Sequence, residues 1–307
     1  MSRRIIVGSR GSKLALLQTE SVIAKIREVN PDVEVNISRI VTTGDRPRSR
    51  LDNTGTAIFV KELEQALLDG RIDVAVHSLK DLPTELTSGL CLLAVTERLD
   101  SRDALVAKAR LNELAAGSKI GTGSLRRTIQ LMSYRPDLLA RPIRGNVDTR
   151  LRKVCSGEVD GVIVAAAAML RLGWKGKITE YLPLEHFLPA VGQGTLAIEA
   201  RLDDKEIVDF VSPLNHLPTW QSITAERALL RALGGGCRAP VAALGTVSGN
   251  TLKLEGMVAS MNGRKVLRAS AEGSALSAEE IGVRLAEKML GMGAAEIIAE
   301  ARSSENG

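Results

Sequence analysis

The sequence predicts an α/β protein with two α/β domains of similar size, followed by a small α+β domain. In the first two thirds of the chain, short apolar strands alternate with amphipathic helices, a rhythm typical of sheets covered by helices. The last third contains three strand-like segments, and Asn262-Gly263 between two of them is a strong hairpin signal. The length of 307 residues leaves room for two or three domains.

The first domain begins with the buried strand Arg4-Ile5-Ile6-Val7. Apolar spacing then predicts a helix with Leu16, Ile23 and Ile26 on one face, followed by a half-buried strand with Val33, Val35 and Ile37. A second helix is predicted from Phe59, Leu63 and Leu67, and a second core strand over residues 73–76. Because strands and helices alternate, we expect a mostly parallel sheet in this domain.

The second α/β domain begins near Asp100. We expect a helix over residues 111–116, strands that end at Gly121 and Arg144, and a further strand over residues 162–164. Asn146 is expected to cap the helix that follows Arg144.

The third domain is expected to contain three antiparallel strands with a helix on one side. The strands are predicted over residues 241–247, 252–259 and 265–271, and the helix over residues 278–290. The turns between the strands contain Ser248-Gly249-Asn250 and Asn262-Gly263. Local turn chemistry and alternation therefore predict this domain without reference to the other two.

Composition argues against several classes of function. Aromatic residues make up 2% of the chain, which argues against single-stranded nucleic-acid binding because bases need aromatic faces for stacking. No segment approaches the ~20 apolar residues of a membrane span, and the N-terminal apolar run is too short for a signal peptide. The three cysteines and three histidines are widely spaced, so we expect no metal site and a reducing, cytoplasmic location.

Two glycine-containing turns are candidate anion sites because each joins a strand end to a helix start. They are Gly8-Ser9-Arg10-Gly11-Ser12 and Gly121-Thr122-Gly123-Ser124. Backbone N–H groups at a helix start favour negative charge, although a purely structural turn is the commoner explanation for any single case. Neither turn matches a nucleotide-binding motif, so nucleotide binding is not indicated.

Arginines lie near several of these strand ends, where open α/β sheets bind ligands. They are Arg10, Arg126, Arg127 and Arg144, while Arg150 and Arg171 follow on helices. The planar guanidinium group suits carboxylates because it can donate two parallel hydrogen bonds. The formal charge of +5 is modest, so it is the placement of the arginines that predicts an acidic small molecule bound in a cleft between α/β domains.

Two further segments contain groups suited to catalysis. Lys80-Asp81 follows the strand over residues 73–76, where Asp81 is placed to move protons or stabilise a cation, although a turn before Pro83 also explains the segment. Cys237 follows three glycines and is a candidate nucleophile or attachment point, with a buried inert thiol as the alternative.

Seven segments together are similar to one family. In chain order they are Gly8-Ser9-Arg10-Gly11-Ser12, Phe59-Val60-Lys61-Glu62-Leu63-Glu64, Val76-His77-Ser78-Leu79-Lys80-Asp81-Leu82-Pro83, Gly121-Thr122-Gly123-Ser124-Leu125-Arg126-Arg127, Arg144-Gly145-Asn146-Val147, Pro189-Ala190-Val191-Gly192-Gln193-Gly194 and Gly235-Gly236-Cys237. In their order and spacing they resemble the porphobilinogen deaminase (hydroxymethylbilane synthase) family.

The resemblance implies two lobes like those of periplasmic binding proteins and a third domain that carries the cysteine. The implied boundaries are residues 1–98 and 190–214 for domain 1, residues 99–189 for domain 2 and residues 215–307 for domain 3. The implied reaction joins four porphobilinogen units head to tail with loss of ammonia, and water then releases hydroxymethylbilane. The implied cofactor is dipyrromethane, bound covalently to Cys237, and we expect a cytoplasmic monomer without nucleic-acid or membrane partners.

The resemblance also implies a role for individual residues, with Asp81 as the catalytic carboxylate. Contacts to the cofactor are implied for Lys80, Thr122, Ser124, Arg126, Arg127, Arg144, Gly145 and Asn146. Contacts to the substrate are implied for Arg10, Ser12, Phe59, Ser78, Arg150, Arg171 and Gln193. The chain departs from the family pattern at three positions: Thr56, where lysine is common, Gly123, where serine is frequent, and Gly234, where an acidic residue is frequent.

Three other functions are weighed against this one. A solute-binding protein would need export, for which no signal peptide is visible, and would have no use for Cys237. A ligand-sensing regulator should contain a DNA-binding helix-turn-helix, whereas this chain starts with a strand. RNA binding by the arginines is disfavoured by the low aromatic content.

Overall fold

The computed structural model describes residues 4–40, 60–234 and 240–303. The predicted substrate contact Phe59, the predicted attachment residue Cys237 and the departure at Thr56 lie outside these ranges. Within the described ranges, no helix combines the length and the apolar character needed to span a bilayer.

Strands and helices alternate, as predicted, at the start of the chain and again over residues 119–171, whereas residues 74–122 contain four strands with no α-helix between them. The strands are β1 (Arg4–Arg10), β2 (Glu34–Ile40), β3 (Val74–Ser78), β4 (Leu90–Val95), β5 (Asp103–Ala107), β6 (Lys119–Thr122), β7 (Leu139–Pro142), β8 (Gly161–Ala165), β9 (Glu180–Tyr181), β10 (Leu196–Arg201), β11 (Val241–Ser248), β12 (Thr251–Ala259) and β13 (Val266–Ser274). The helices are α1 (Lys13–Val29), α2 (Lys61–Leu68), α3 (Leu125–Tyr134), α4 (Val147–Cys155), α5 (Ala166–Arg171), α6 (Lys205–Val211), α7 (Leu217–Ala232), α8 (Ala278–Gly291) and α9 (Ala294–Ser303).

One compact unit comprises Met1–Arg98 and Thr195–Trp220. Its sheet has the strand order β2-β1-β3-β10-β4, with β1 parallel to both of its neighbours and β10 antiparallel to both of its own. The prediction of a mostly parallel sheet is confirmed, since four of the five strands run in one direction and only β10 runs the other way. Strand β10 comes from a distant part of the chain and enters without the helical crossover that makes neighbouring strands parallel.

The second compact unit comprises Leu99–Gly194 and Gln221–Gly307 and contains two sheets. The larger has the order β7-β6-β8-β5-β9, in which β6 is parallel to its neighbours and β5 is antiparallel to its own. The smaller is the antiparallel sheet β11-β12-β13, covered by α8 and α9. The three sheets confirm the predicted fold class, while the three-domain boundaries stay a prediction.

The helix predicted over residues 111–116 is wrong, because this segment forms a series of turns. The guanidinium group of Arg135 donates hydrogen bonds to the carbonyl oxygens of Leu111 and Leu114. A helix would instead need those oxygens to accept from N–H groups four residues further along. Gly117, at a φ of +80°, then reverses the chain in a conformation that favours glycine.

Helix α8 packs closely against α7 at Gly282. A Cβ at this position would lie 2.4 Å from the carbonyl oxygen of Ala225 and 2.6 Å from the Cβ of Ala228. We expect Gly282→Ala to lower the free energy of unfolding by about 1–3 kcal/mol, since overpacking displaces backbone and side chains. Gly291→Ala, at the open end of the same helix, is the matched control and should leave stability unchanged or slightly higher. Urea denaturation measures both, and equal losses would contradict this account of the packing.

Candidate active site

The turn after β1 places Arg10 and Ser12 at the start of α1. The Ser12 hydroxyl accepts a hydrogen bond from the backbone N–H of Ala15 at 3.3 Å, so it serves as the N-cap of this helix. Arg10 ends the strand and is half-buried. The two predicted substrate contacts Arg10 and Ser12 therefore lie close together. The capping hydrogen bond of Ser12 was not predicted from the sequence.

The end of β3 and the turn after it carry Ser78, Lys80 and Asp81. Buried Leu79 anchors the turn, and the Ser78 hydroxyl accepts a hydrogen bond from Nε2 of Gln18 at 2.9 Å. The Asp81 side chain is partly exposed and makes no hydrogen bond or ion pair with any residue that the structure describes. Its carboxylate is therefore available to a ligand of the same unit.

A buried pair supports this turn from the strand before it. Nε2 of His77 lies 2.9 Å from Oε2 of Glu199, and both side chains are almost completely buried. The pair joins β3 to β10, so His77 has a structural role within this sheet. Burial, with a smaller contribution from the charge of Glu199, raises the pKa of the Cys91 thiol. A raised pKa disfavours the thiolate, so Cys91 is poorly suited to act as a nucleophile.

In the second unit, the turn after β6 is closed by Thr122, whose hydroxyl accepts from the backbone N–H of Ser124 at 3.2 Å. A Cβ at Gly123 would lie 2.7 Å from the carbonyl oxygen of Ile143, so the departure from serine at this position suits the local backbone. Ser124 is the N-cap residue of α3, yet its side chain makes no capping hydrogen bond. Its hydroxyl and the first N–H groups of α3 can therefore donate to an anion.

Arg126 and Arg127 share one buried carboxylate, that of Asp103. The closest distances are 2.8 Å from Nη2 of Arg126 to Oδ2 of Asp103 and 2.8 Å from Nη2 of Arg127 to Oδ1. Burial by itself would raise the pKa of the Asp103 carboxyl, but the charges of Arg126 and Arg127 outweigh it and hold the pKa well below its usual range. Asp103 is therefore ionised throughout the neutral pH range.

Gln193 completes this buried cluster. Its Nε2 donates to Oδ1 of Asp103 and to the carbonyl oxygen of Ser101, each at 2.8 Å, and its side chain is almost fully buried. The predicted substrate contact Gln193 therefore uses its amide within the protein.

The turn after β7 brings four predicted residues together. Asn146 caps α4, with Oδ1 accepting from the backbone N–H of Thr149 at 3.4 Å and from its hydroxyl at 2.7 Å. The Gly145 carbonyl accepts from Nε of Arg150 at 2.9 Å, and the φ of Gly145 is +103°. Arg144 is exposed and has no hydrogen bond or ion pair within the described ranges.

Arg171 is a partly buried cation without a carboxylate partner among the described residues. Its Nη2 donates to the carbonyl oxygen of Gly194 at 2.8 Å. Burial lowers the pKa of Arg171 to about 10, because the charged form loses hydration that no acidic group replaces. An anionic ligand would supply the missing negative charge.

The donor set of the second unit fits a ligand that carries several carboxylates, as dipyrromethane does. Arg144 and Arg171 have no acidic partner, and Nε of Arg126 is buried without a hydrogen-bond partner in the described part of the chain. Over residues 4–40, 60–234 and 240–303, no three His, Cys, Asp or Glu side chains are grouped closely enough to hold a metal ion.

Sequence reasoning missed Asp103, the acidic centre of the buried cluster. A signal was present, because this carboxylate begins the otherwise apolar strand Asp103-Ala104-Leu105-Val106-Ala107. A charge at the end of a core strand is almost never fully buried without a partner. Its partner could not be identified from the pattern, since Arg127 lies 24 residues away in the chain.

Two family models match the chain. One, described as "Porphobilinogen deaminase, dipyromethane cofactor binding domain", matches residues 5–209, and "Porphobilinogen deaminase, C-terminal domain" matches residues 220–291. Similar curated proteins include the porphobilinogen deaminase of Desulforudis audaxviator, 47% identical over 99% of each chain. The porphobilinogen deaminase of Thermus thermophilus is 46% identical over 98% of this chain and 100% of its own.

Solved structures that resemble parts of this chain include two binding proteins. The methionine-binding protein MetQ is 14% identical and covers 71% of this chain and 90% of its own, with a TM-score of 0.44. The periplasmic aliphatic sulphonate binding protein SsuA from Escherichia coli is also 14% identical and covers 76% of this chain and 71% of its own, with a TM-score of 0.40.

Proposed function

Because this chain belongs to the porphobilinogen deaminase family, a family of transferases, we propose that it condenses four porphobilinogen molecules head to tail on a covalent dipyrromethane primer. Each condensation releases ammonia, and hydrolysis then releases hydroxymethylbilane for tetrapyrrole synthesis. The observation that carries this proposal is the Asp81 carboxylate, which stands in a family motif without a protein partner among the described residues.

Asp81 is the proposed catalytic residue. Loss of ammonia from the aminomethyl group of porphobilinogen leaves a cation on the pyrrole, and a carboxylate near the pyrrole N–H stabilises that cation and assists proton transfer. An aspartate already paired with an arginine or lysine would be less able to do so, because its charge would be compensated. The unpaired state of Asp81 in its unit supports this role.

The dipyrromethane group, when bound at Cys237, supplies a primer that stays attached while the product grows. We propose that this chain holds its carboxylates through the residues that match the family motifs, which are Lys80, Thr122, Ser124, Arg126, Arg127, Arg144, Gly145 and Asn146. The proposed substrate contacts are Arg10, Ser12, Phe59, Ser78, Arg150 and Arg171. Each pyrrole carries an acetate and a propionate, so a set of several arginines suits a product that gains carboxylates at every step.

Two hydrogen-bonding patterns refine these roles. Ser12 and Asn146 cap helices, so we propose that they shape their turns as well as contact ligand. Gln193 uses its amide on Asp103, so a positioning role suits it better than a direct substrate contact. We further propose the three-domain division given above and a monomer in the cytoplasm.

The test is an incubation of the purified protein with porphobilinogen, in which ammonia and the linear tetrapyrrole are measured over time. We expect equal numbers of porphobilinogen molecules consumed and ammonia molecules released, with hydroxymethylbilane as the product. A solute-binding protein would bind porphobilinogen without releasing ammonia. That outcome, with a correctly folded and cofactor-loaded sample, would contradict the proposed function.

A further inference from the structure

Arg126 and Arg127 are adjacent in sequence but use their donors differently. Nearly all the donors of Arg127 are used inside the protein: Nε and Nη2 bind Asp103 at 3.0 and 2.8 Å, Nη1 binds the carbonyl oxygen of Ile163 at 3.2 Å, and Nη2 also reaches Gln193 at 3.4 Å. A guanidinium group has five donor hydrogens, so one remains.

More of the donor groups of Arg126 lack a partner among the described residues. Its Nη1 donates to the carbonyl oxygen of Leu188 at 2.6 Å and its Nη2 lies 2.8 Å from Asp103, while Nε has no partner among the described residues. Burial, opposed by the charge of Asp103 and reinforced by that of Arg127, lowers the pKa of Arg126. Arg126 is thus a cation whose buried charge is incompletely compensated.

The formal charges of this cluster also favour an additional anionic ligand. Two guanidinium groups share the one carboxylate that lies within 4 Å of either of them in the described part of the chain. One formal positive charge is left over in a place that is almost fully buried. Leaving a buried charge unpaired is costly, so the cluster favours binding of one further anion.

We propose that Asp103 is a positioning residue for cofactor binding. With Arg127 and Gln193 it forms a buried support that orients Arg126, and Arg126 donates to a carboxylate of the dipyrromethane group. Arg127 then acts by holding Asp103 in place, and it contributes less to cofactor binding than Arg126 does. This inference rests on the proposed function, because it assigns separate roles to two residues of that same site.

The first experiment compares cofactor loading with stability. Apo-protein, produced in cells that cannot make porphobilinogen, is mixed with porphobilinogen, and the dipyrromethane mass gained is followed by intact-protein mass spectrometry. We expect the folded fraction of Asp103→Asn to load about tenfold more slowly or worse, the size expected when hydrogen bonds to a charged group are lost. Leu105→Ala, a buried change two residues along the same strand, is the matched control and should load like the wild type.

A pair of conservative variants tests the division of roles even if Asp103→Asn fails to fold. Lysine keeps the charge but lacks the guanidinium fork, so both arginine-to-lysine variants retain an ion pair with Asp103. We expect Arg126→Lys to lose loading with a small change in thermal midpoint. Arg127→Lys should lower the thermal midpoint more and the loading rate less.

Two results would contradict this inference and leave the proposed function intact, provided that the wild type gains the dipyrromethane mass. One is equal loading by Asp103→Asn and Leu105→Ala at matched folded fraction. The other is a loading loss in Arg127→Lys as large as that in Arg126→Lys. Failure of the wild-type apo-protein to gain any dipyrromethane mass is a different outcome, because it would overturn the proposed function and this inference with it.

Discussion

Replacing Asp81 with asparagine should slow turnover of porphobilinogen by about 10²–10³-fold, the loss typical when one group that stabilises transition-state charge is removed. Asparagine has nearly the same shape but no charge, so it cannot stabilise the pyrrole cation or accept its proton. Asp81 makes no hydrogen bond or ion pair with the described residues, so the thermal midpoint should stay close to that of the wild type. Steady-state formation of hydroxymethylbilane and a thermal melt measure the two effects.

Glu85→Gln is the matched control for Asp81→Asn. Glu85 is an exposed carboxylate four residues further along, so the same loss of charge there should leave turnover unchanged. Dipyrromethane loading of Asp81→Asn should also be examined, because a variant without cofactor would be inactive for another reason. Turnover within about threefold of the wild type in a loaded Asp81→Asn sample would contradict the catalytic role, since it corresponds to less than 1 kcal/mol of barrier.

Replacing Cys237 with serine should abolish both the covalent dipyrromethane group and measurable turnover. A hydroxyl is a far weaker nucleophile than a thiolate at neutral pH, so the primer should not attach. Intact mass should therefore equal the mass of the bare chain after incubation with porphobilinogen, whereas the wild type should carry the mass of a dipyrrole.

Cys155→Ser is the matched control for Cys237→Ser, because Cys155 is an exposed free cysteine at the end of α4. This variant should retain the added mass and full activity. If Cys237→Ser still gained the mass of a dipyrrole, the attachment point would have to be another residue. Peptide mapping of the modified chain would then identify it.

Much of the candidate site was predictable because its residues stand in short contiguous motifs. Asp81 lies three residues after β3 and Arg144 two residues after β7, so the periodicity of these strands places both near the edge of a sheet. The antiparallel sheet of the third domain was predictable for a similar reason, since Asn262-Gly263 specifies its own turn and Gly263 has a φ of +70°.

The sequence by itself determined those features that depend on neighbours along the chain: the alternation of strands and helices, the hairpin, the turns at strand ends and the family motifs. Tertiary structure alone decided which groups are available to a ligand. Asp103 forms an ion pair with Arg126 and accepts hydrogen bonds from Arg127 and Gln193, and Gln193 is 90 residues away from it in the chain. Likewise, the guanidinium group of Arg135 donates to the carbonyl oxygen of Leu111, which a helix starting at residue 111 would need for its own backbone hydrogen bonds. Hydrogen bonds between distant residues form only when folding buries them together, and no local periodicity specifies such partners.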